Sequence, residues 1–120
     1  MISADLPYRA VDAKAVEAAA SAAMAAFSAA ADDRHRLYCA DFDHYCDFEL
    51  LADRLHGHAS WVIEGAKHPA PVEVIKDLQS LQSPLRLDWK LRLKHYPQLE
   101  TYRAKLDELR EQLLTCFAAP

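Results

Sequence analysis

Glycine is almost missing from this chain: only Gly57 and Gly65 occur in 120 residues that also include six prolines. β-Sandwiches and barrels need many tight turns, and such turns repeatedly require a positive φ, which glycine adopts most readily. The same scarcity excludes the glycine-rich loops that cradle nucleotide phosphates. We therefore predict a mainly α fold, a compact helical bundle of about four helices, with residues 1–120 forming a single domain.

The N-terminal part of the chain has the composition of a helix preceded by an arm. Residues 1–11 contain Pro7 and no hydrophobic periodicity, which predicts a short N-terminal arm. Asp12 is suited to cap a helix that runs to about Ala31, since alanine, the best helix former, dominates this stretch. The small side chains of this helix either allow a neighbouring helix to approach closely or simply lie on a solvent-exposed surface.

The clearest amphipathic helix is predicted over residues 34–56. Asp32 and Asp33 suit its N terminus, and Gly57 suits its end. Its aromatic and apolar residues recur at steps of three and four: Tyr38, Phe42, Tyr45, Phe48, Ala52 and Leu55.

Two prolines open the remaining predicted helices. Pro71 begins a short helix whose buried side is Val72, Ile75, Leu78 and Leu81, with Val74 beside them. Pro97 begins the last helix, whose apolar seam is Leu99, Tyr102, Leu106, Leu109, Leu113 and Cys116. The spacing also predicts ion pairs from Asp107 to Arg103 and to Arg110.

Residues 85–94 have two opposed signals. Apolar and charged residues alternate strictly, which indicates a half-buried strand and hence an α+β fold with a small or intermolecular sheet. Ser83-Pro84 is instead a good helix start, and leucine, arginine and lysine favour helix. On a helix, Leu87 and Leu91 lie nearly opposite Leu85 and Trp89, so both sides would need apolar neighbours. The sequence leaves this choice open.

Charge and cysteine content point to the cytoplasm. The chain carries 14 Lys and Arg against 18 Asp and Glu, and this negative net charge does not favour nucleic-acid binding. Asp5 lies where a secretory signal has basic residues, and the sequence has no apolar run long enough to span a membrane. Its three cysteines, an odd number, suit a reducing compartment, and Cys39 and Cys46 are too far apart on a helix to pair.

A metal site is one alternative function. His35, Cys39, Asp43 and Cys46 follow at helical steps along one stripe. His and Cys four residues apart can chelate one ion, but the whole stripe is too long to do so. A further ligand would have to come from His68, His95 or a second subunit. We therefore expect no cofactor, and we keep a metal- or small-ligand-binding protein using segment 35–58 as an alternative.

Enzymatic and nucleic-acid functions have weaker support. No nucleophile elbow or triad signature occurs, and an acid–base site needs a desolvated pocket that a sequence cannot show. Enzymatic activity is therefore uncertain and less expected than its absence. The basic segment 86–94 offers cations for phosphates and aromatic rings for bases, which makes nucleic-acid binding a second alternative. The simpler interpretation is that these cations meet the acidic segment 32–53.

The favoured hypothesis is a non-catalytic interaction or regulatory module that binds a protein partner or forms a homodimer. Its predicted surface combines the acids of one segment with the cations of another: Asp41, Asp43, Asp47, Arg86, Lys90, Arg92 and Lys94. If residues 85–94 form a helix, leucines that a monomer cannot bury also favour association.

Overall fold

Every regular element in the described residues, 10–65 and 69–118 of a computed structural model, is helical. The helices are α1 (Ala10–Ala29), α2 (Ala31–Ala40), α3 (Phe42–Ile63), α4 (Pro71–Ser80), α5 (Trp89–Arg92) and α6 (Pro97–Ala118). A π-helical turn, Pro84–Asp88, precedes α5, and a 3₁₀ turn, Leu93–His95, follows it. We call residues 84–95 the irregular segment. The predicted mainly α bundle is confirmed. The structure also contains the irregular segment, and it divides the second predicted helix into α2 and α3.

Helix α1 packs along α6, as its small side chains allow. Val16 and Ala23 are fully buried, and the rings of Phe27 and Tyr102 meet edge to face at 5.4 Å. The predicted N-cap at Asp12 is wrong, because α1 already begins at Ala10. Residues 1–9 of the predicted arm lie outside the described residues, and the single-domain assignment stays a prediction.

The predicted helix over 34–56 is two helices that meet at Asp41. This residue leaves the helical region, with φ −157° and ψ 78°. Its backbone N–H closes α2 on the carbonyl of Leu37, and its carboxylate accepts from the N–H of His44 in the first turn of α3. An aspartate at an N-cap stabilises exactly such a start. The amphipathic stripe continues through the break, so periodicity alone does not show it.

Gly57 does not end the helix, contrary to the prediction. Helix α3 continues to Ile63 because Ala59 and Val62 extend its buried face. A glycine inside a helix costs only about 1 kcal/mol, which this packing offsets. The turn after α3 contains Gly65 instead, with φ 72°, a backbone conformation that glycine adopts without strain.

The irregular segment is helical, so the strand interpretation of residues 85–94 is wrong. Leu85, Trp89 and Leu93 recur every four residues and are buried, whereas Leu87 and Leu91 are exposed. In an alternating pattern every second apolar residue is four positions from the last, which is close to one helical turn. One face of a helix can therefore bury these residues without a partner strand. In the described residues no strand exists that could pair with it.

The core is one cluster centred on α6. Both proline-initiated helices are confirmed, and the whole predicted seam of α6 is buried. On α4, Val74, Leu78 and Leu81 are buried, but Val72 is 61% exposed, so its predicted burial is wrong. No helix in the described ranges is long and apolar enough to cross a membrane.

Candidate functional site

A groove runs between α3 and the irregular segment. Its volume is about 790 Å³, and it is broadly open to solvent. It is lined by His44, Asp47, Leu50, Leu51 and Arg54 from α3, and by Pro84, Leu87, Trp89, Leu91 and Arg92 from the irregular segment. We call it the leucine groove.

Three leucines of this groove are exposed to solvent. Leu50 is 61% exposed, Leu87 is 66% exposed and Leu91 is 76% exposed. Isolated exposed leucines are ordinary, but several around one concavity are typical of surfaces that bind another macromolecule. Leu87 and Leu91 are the two leucines that lie nearly opposite Leu85 and Trp89 on a helical projection.

The groove carries one acid and one cation outside the salt bridges of the described residues, although the charge of Arg92 helps to lower the pKa of Asp41. Asp47 lies on the α3 wall and Arg92 on the opposite wall. Neither forms an ion pair with any residue that the structure describes; Arg92 lies over the ring of Trp89, 5.7 Å from its centroid. Arg54, in contrast, is paired with Asp77 of α4. The groove therefore has one charge of each sign that forms no salt bridge among the described residues.

The predicted interaction residues are only partly brought together. Asp47 and Arg92 line the groove, and Asp41 lies near its end, where the bond from the His44 side chain lowers the pKa of the Asp41 carboxyl. Asp43, Lys90 and Lys94 are exposed and lie outside the lining.

Arg86 does not meet the acidic helix that its charge suggested. Its guanidinium binds Asp107 at 2.7 Å and Glu111 at 2.8 Å, both on α6. Trp89 is 5% exposed, so its ring is not available to stack on a base. Burial of Trp89 removes one aromatic ring from the nucleic-acid alternative, whereas Lys90, Arg92 and Lys94 are exposed, so that alternative stays a prediction.

The break at Asp41 divides the candidate metal ligands between two helices. His35 and Cys39 remain neighbours on α2, with Nε2 and Sγ 3.6 Å apart, while Asp43 and Cys46 belong to α3. Within the described ranges no three His, Cys, Asp or Glu side chains converge on one point. His68, a suggested extra ligand, lies outside the described residues.

A second, more enclosed cavity of about 180 Å³ lies among α1, α2, α3 and α6. It is lined by Phe27, Arg34, Leu37, Tyr45, Phe48, Glu49, Ala52, Asp53, Leu99 and Tyr102. We call it the aromatic cavity. Its walls come from four separate helices, so no pattern within one stretch of the sequence predicts it.

Two groups here have shifted pKa values: Tyr102, which is buried and lines the cavity, and His56, which is partly exposed and lies 3.4 Å from the Tyr102 hydroxyl. Burial, reinforced by the nearby charge of Asp53, raises the pKa of Tyr102 to about 12. Burial lowers the pKa of His56, against a smaller opposing effect of Asp53. The Tyr102 hydroxyl and His56 Nε2 are 3.4 Å apart, so a neutral imidazole can accept a hydrogen bond from the hydroxyl.

No protein-family model matches this sequence, and comparisons with curated proteins and with solved structures give no match either.

Proposed function

We propose that this protein is a non-catalytic helical interaction module that pairs with a second copy of itself through the leucine groove. The observation that carries the proposal is the exposure of Leu50, Leu87 and Leu91 around one concavity. Burying one leucine side chain contributes about 1.5–3 kcal/mol, so covering the three is a substantial driving force.

The charges of the groove favour a second copy over an unrelated partner. In a two-fold dimer the same surface meets itself, so each contact occurs twice. Asp47 on one wall and Arg92 on the other form no salt bridge within the described part of one chain, and their charges are opposite. Antiparallel pairing of two grooves would therefore place Asp47 of each copy near Arg92 of the other and cover the leucines between them.

A charge exchange tests this arrangement. We expect Asp47→Arg alone and Arg92→Asp alone to weaken the dimer, because each places like charges together twice across the two-fold axis. A mixture of the two variants should form a heterodimer, since all four groove charges are then complementary. Native mass spectrometry resolves the homodimers and the heterodimer by mass.

The apolar part of the groove has its own control. Leu87→Glu should leave the protein monomeric, whereas Val72→Glu, at an equally exposed apolar position outside the groove lining, should leave the dimer intact. A parent chain that stays monomeric at tens of micromolar would contradict the proposal. So would a dimer that survives both Leu87→Glu and the single charge reversals.

We keep the cytoplasm as the proposed location. The three cysteines of the sequence, an odd number, support this location because they suit a reducing compartment.

A further inference from the structure

The aromatic cavity has the size of a small-molecule site. At about 180 Å³ it is somewhat larger than an apolar cavity of about 150 Å³ that holds benzene. Phe27, Phe48 and Tyr102 pack around it, with ring centroids 5.4 Å apart for Phe27 and Tyr102 and 5.9 Å apart for Phe48 and Tyr102. Its apolar wall therefore suits one ring or a branched aliphatic group.

The polar groups of the cavity are mostly hydrogen-bond acceptors. Glu49 and Asp53 contribute two carboxylates, and Glu49 accepts from the hydroxyl of Tyr45. Tyr102 is 3% exposed, and when its proton is directed to His56 its oxygen is left as a further acceptor. Glu49 is partly exposed and Asp53 is exposed, so water reaches both carboxylates, and a ligand that donates hydrogen bonds can replace that water.

The one cation of the cavity is already engaged. Arg34 donates from Nε to the carbonyl of Phe27 at 3.3 Å, and its guanidinium lies 3.8 Å from the centroid of the Phe27 ring. The lining then has two carboxylates against one guanidinium. Because this guanidinium covers the Phe27 ring, the attraction for an organic cation comes from the excess of negative charge in the lining.

We propose that the aromatic cavity binds a small organic cation, a primary ammonium carried on a benzene-sized apolar group. The ammonium lies toward Glu49 and Asp53 and has three N–H donors, while the apolar group lies against the aromatic wall. This site is formed by different residues from the leucine groove, so it adds a ligand to the protein independently of dimer formation.

Three probes of similar shape and different charge test the proposal. In titrations followed by NMR at pH 7, 2-phenylethylammonium should shift the amide signals of residues lining the cavity in a saturable way. Neutral 2-phenylethanol should bind at least about tenfold more weakly, a difference of about 1.4 kcal/mol, and phenylacetate should not saturate. Equal binding of the ammonium and the alcohol would overturn the proposal, as would tighter binding of phenylacetate.

Variants locate the binding site. Asp53→Asn should weaken 2-phenylethylammonium binding about tenfold, whereas Asp43→Asn, at an exposed aspartate of the same helix outside the cavity, should leave it unchanged. Ala52→Leu should fill the cavity and abolish binding in a protein whose circular dichroism stays helical. Unchanged affinity in Asp53→Asn, or full affinity in a folded Ala52→Leu variant, would show that the probe binds elsewhere.

Discussion

At the scale of single residues, Asp33 joins two helices that are distant in sequence. Its Oδ2 accepts from the backbone N–H of Gln98 at 2.7 Å and of Leu99 at 3.4 Å, at the start of α6. Its Oδ1 accepts from Arg36 at 3.0 Å. The sequence suggested Asp33 as a cap for its own helix, whereas this carboxylate, 7% exposed, satisfies unpaired donors of another one.

Removing this carboxylate should destabilise the fold. We expect Asp33→Ala to lower the free energy of unfolding by about 1–2 kcal/mol, the usual cost of losing a helix cap. Urea unfolding followed by circular dichroism measures it. Asp32→Ala is the matched control, because Asp32 is exposed and loses only its dipole interaction with α2, about 0.5 kcal/mol. Equal losses in both variants would contradict the capping role.

At the scale of elements, α6 holds its neighbours through two buried arginines. Arg103 donates to the carbonyl of Leu85 at 3.1 Å, inside the π-helical turn, and Arg110 donates to the carbonyl of Leu78 at 3.2 Å, near the end of α4. Both carbonyls lie where the helical bonding pattern changes or ends and need extra donors. The predicted Asp107–Arg110 pair is present at 3.2 Å.

The other predicted ion pair is replaced. Arg103 binds Glu100, with Nε at 2.7 Å from Oε2 and Nη2 at 2.9 Å from Oε1, rather than Asp107. Asp107 instead forms a salt bridge with Arg86 of the irregular segment, with Nε and Oδ2 2.7 Å apart. Side-chain spacing along α6 allows both choices, and the packing of the irregular segment on α6 decides between them.

Arg103→Met should therefore be costly. It leaves the Leu85 carbonyl without its side-chain donor and Glu100 without its partner, so we expect a loss of about 2–4 kcal/mol. Guanidinium unfolding measures it. Lys105→Met on the same helix is the control and should change stability by about 0.5 kcal/mol or less, because Lys105 is partly exposed and makes one salt bridge at 3.5 Å. A loss in Arg103→Met no larger than in the control would refute this role.

At the scale of the whole molecule, α3 is held by polar contacts on both of its sides. On one side, Arg54 and His58 bind Asp77 of α4; burial raises the pKa of that carboxyl, but these two partners together outweigh burial and hold it below its usual value. On the other side, His56 meets Tyr102 of α6. The global stability of the bundle therefore depends on the charge state of groups between its helices.

His56 makes that stability sensitive to mild acid. Since burial lowers its pKa below the ordinary value of 6.5, the unfolded chain binds the proton more readily than the folded one. The stability associated with neutral His56 is full above about pH 6.5 and is lost as the pH falls through the lowered folded-state pKa. One proton limits the slope to about 1.4 kcal/mol per pH unit.

A comparison of two histidine variants isolates this effect. Between pH 7 and pH 5, unfolding free energies should fall more steeply in the parent protein than in His56→Gln. His35→Gln, which removes an exposed histidine, should follow the parent curve. Parallel curves for the parent and His56→Gln would contradict the assignment.

Helix content could be predicted because it depends on local chemistry. The alanine-rich α1, the proline starts of α4 and α6 and the buried seam of α6 all follow from propensity, φ restriction and periodicity, which act within a few residues. The exposure of Leu87 and Leu91 also follows from a helical projection once the segment is known to be helical. Local sequence is therefore enough to predict most of the helical segments and their apolar faces.

Features that depend on residues far apart in the chain could not be predicted in this way. Residues 85–94 are helical rather than extended because the core accepts Leu85, Trp89 and Leu93 on one face. The start of α6 is bonded to a carboxylate of α2, and the aromatic cavity and the leucine groove each need walls from separate elements. Such arrangements depend on how the helices pack, a free energy shared among many distant contacts that no local window of sequence contains.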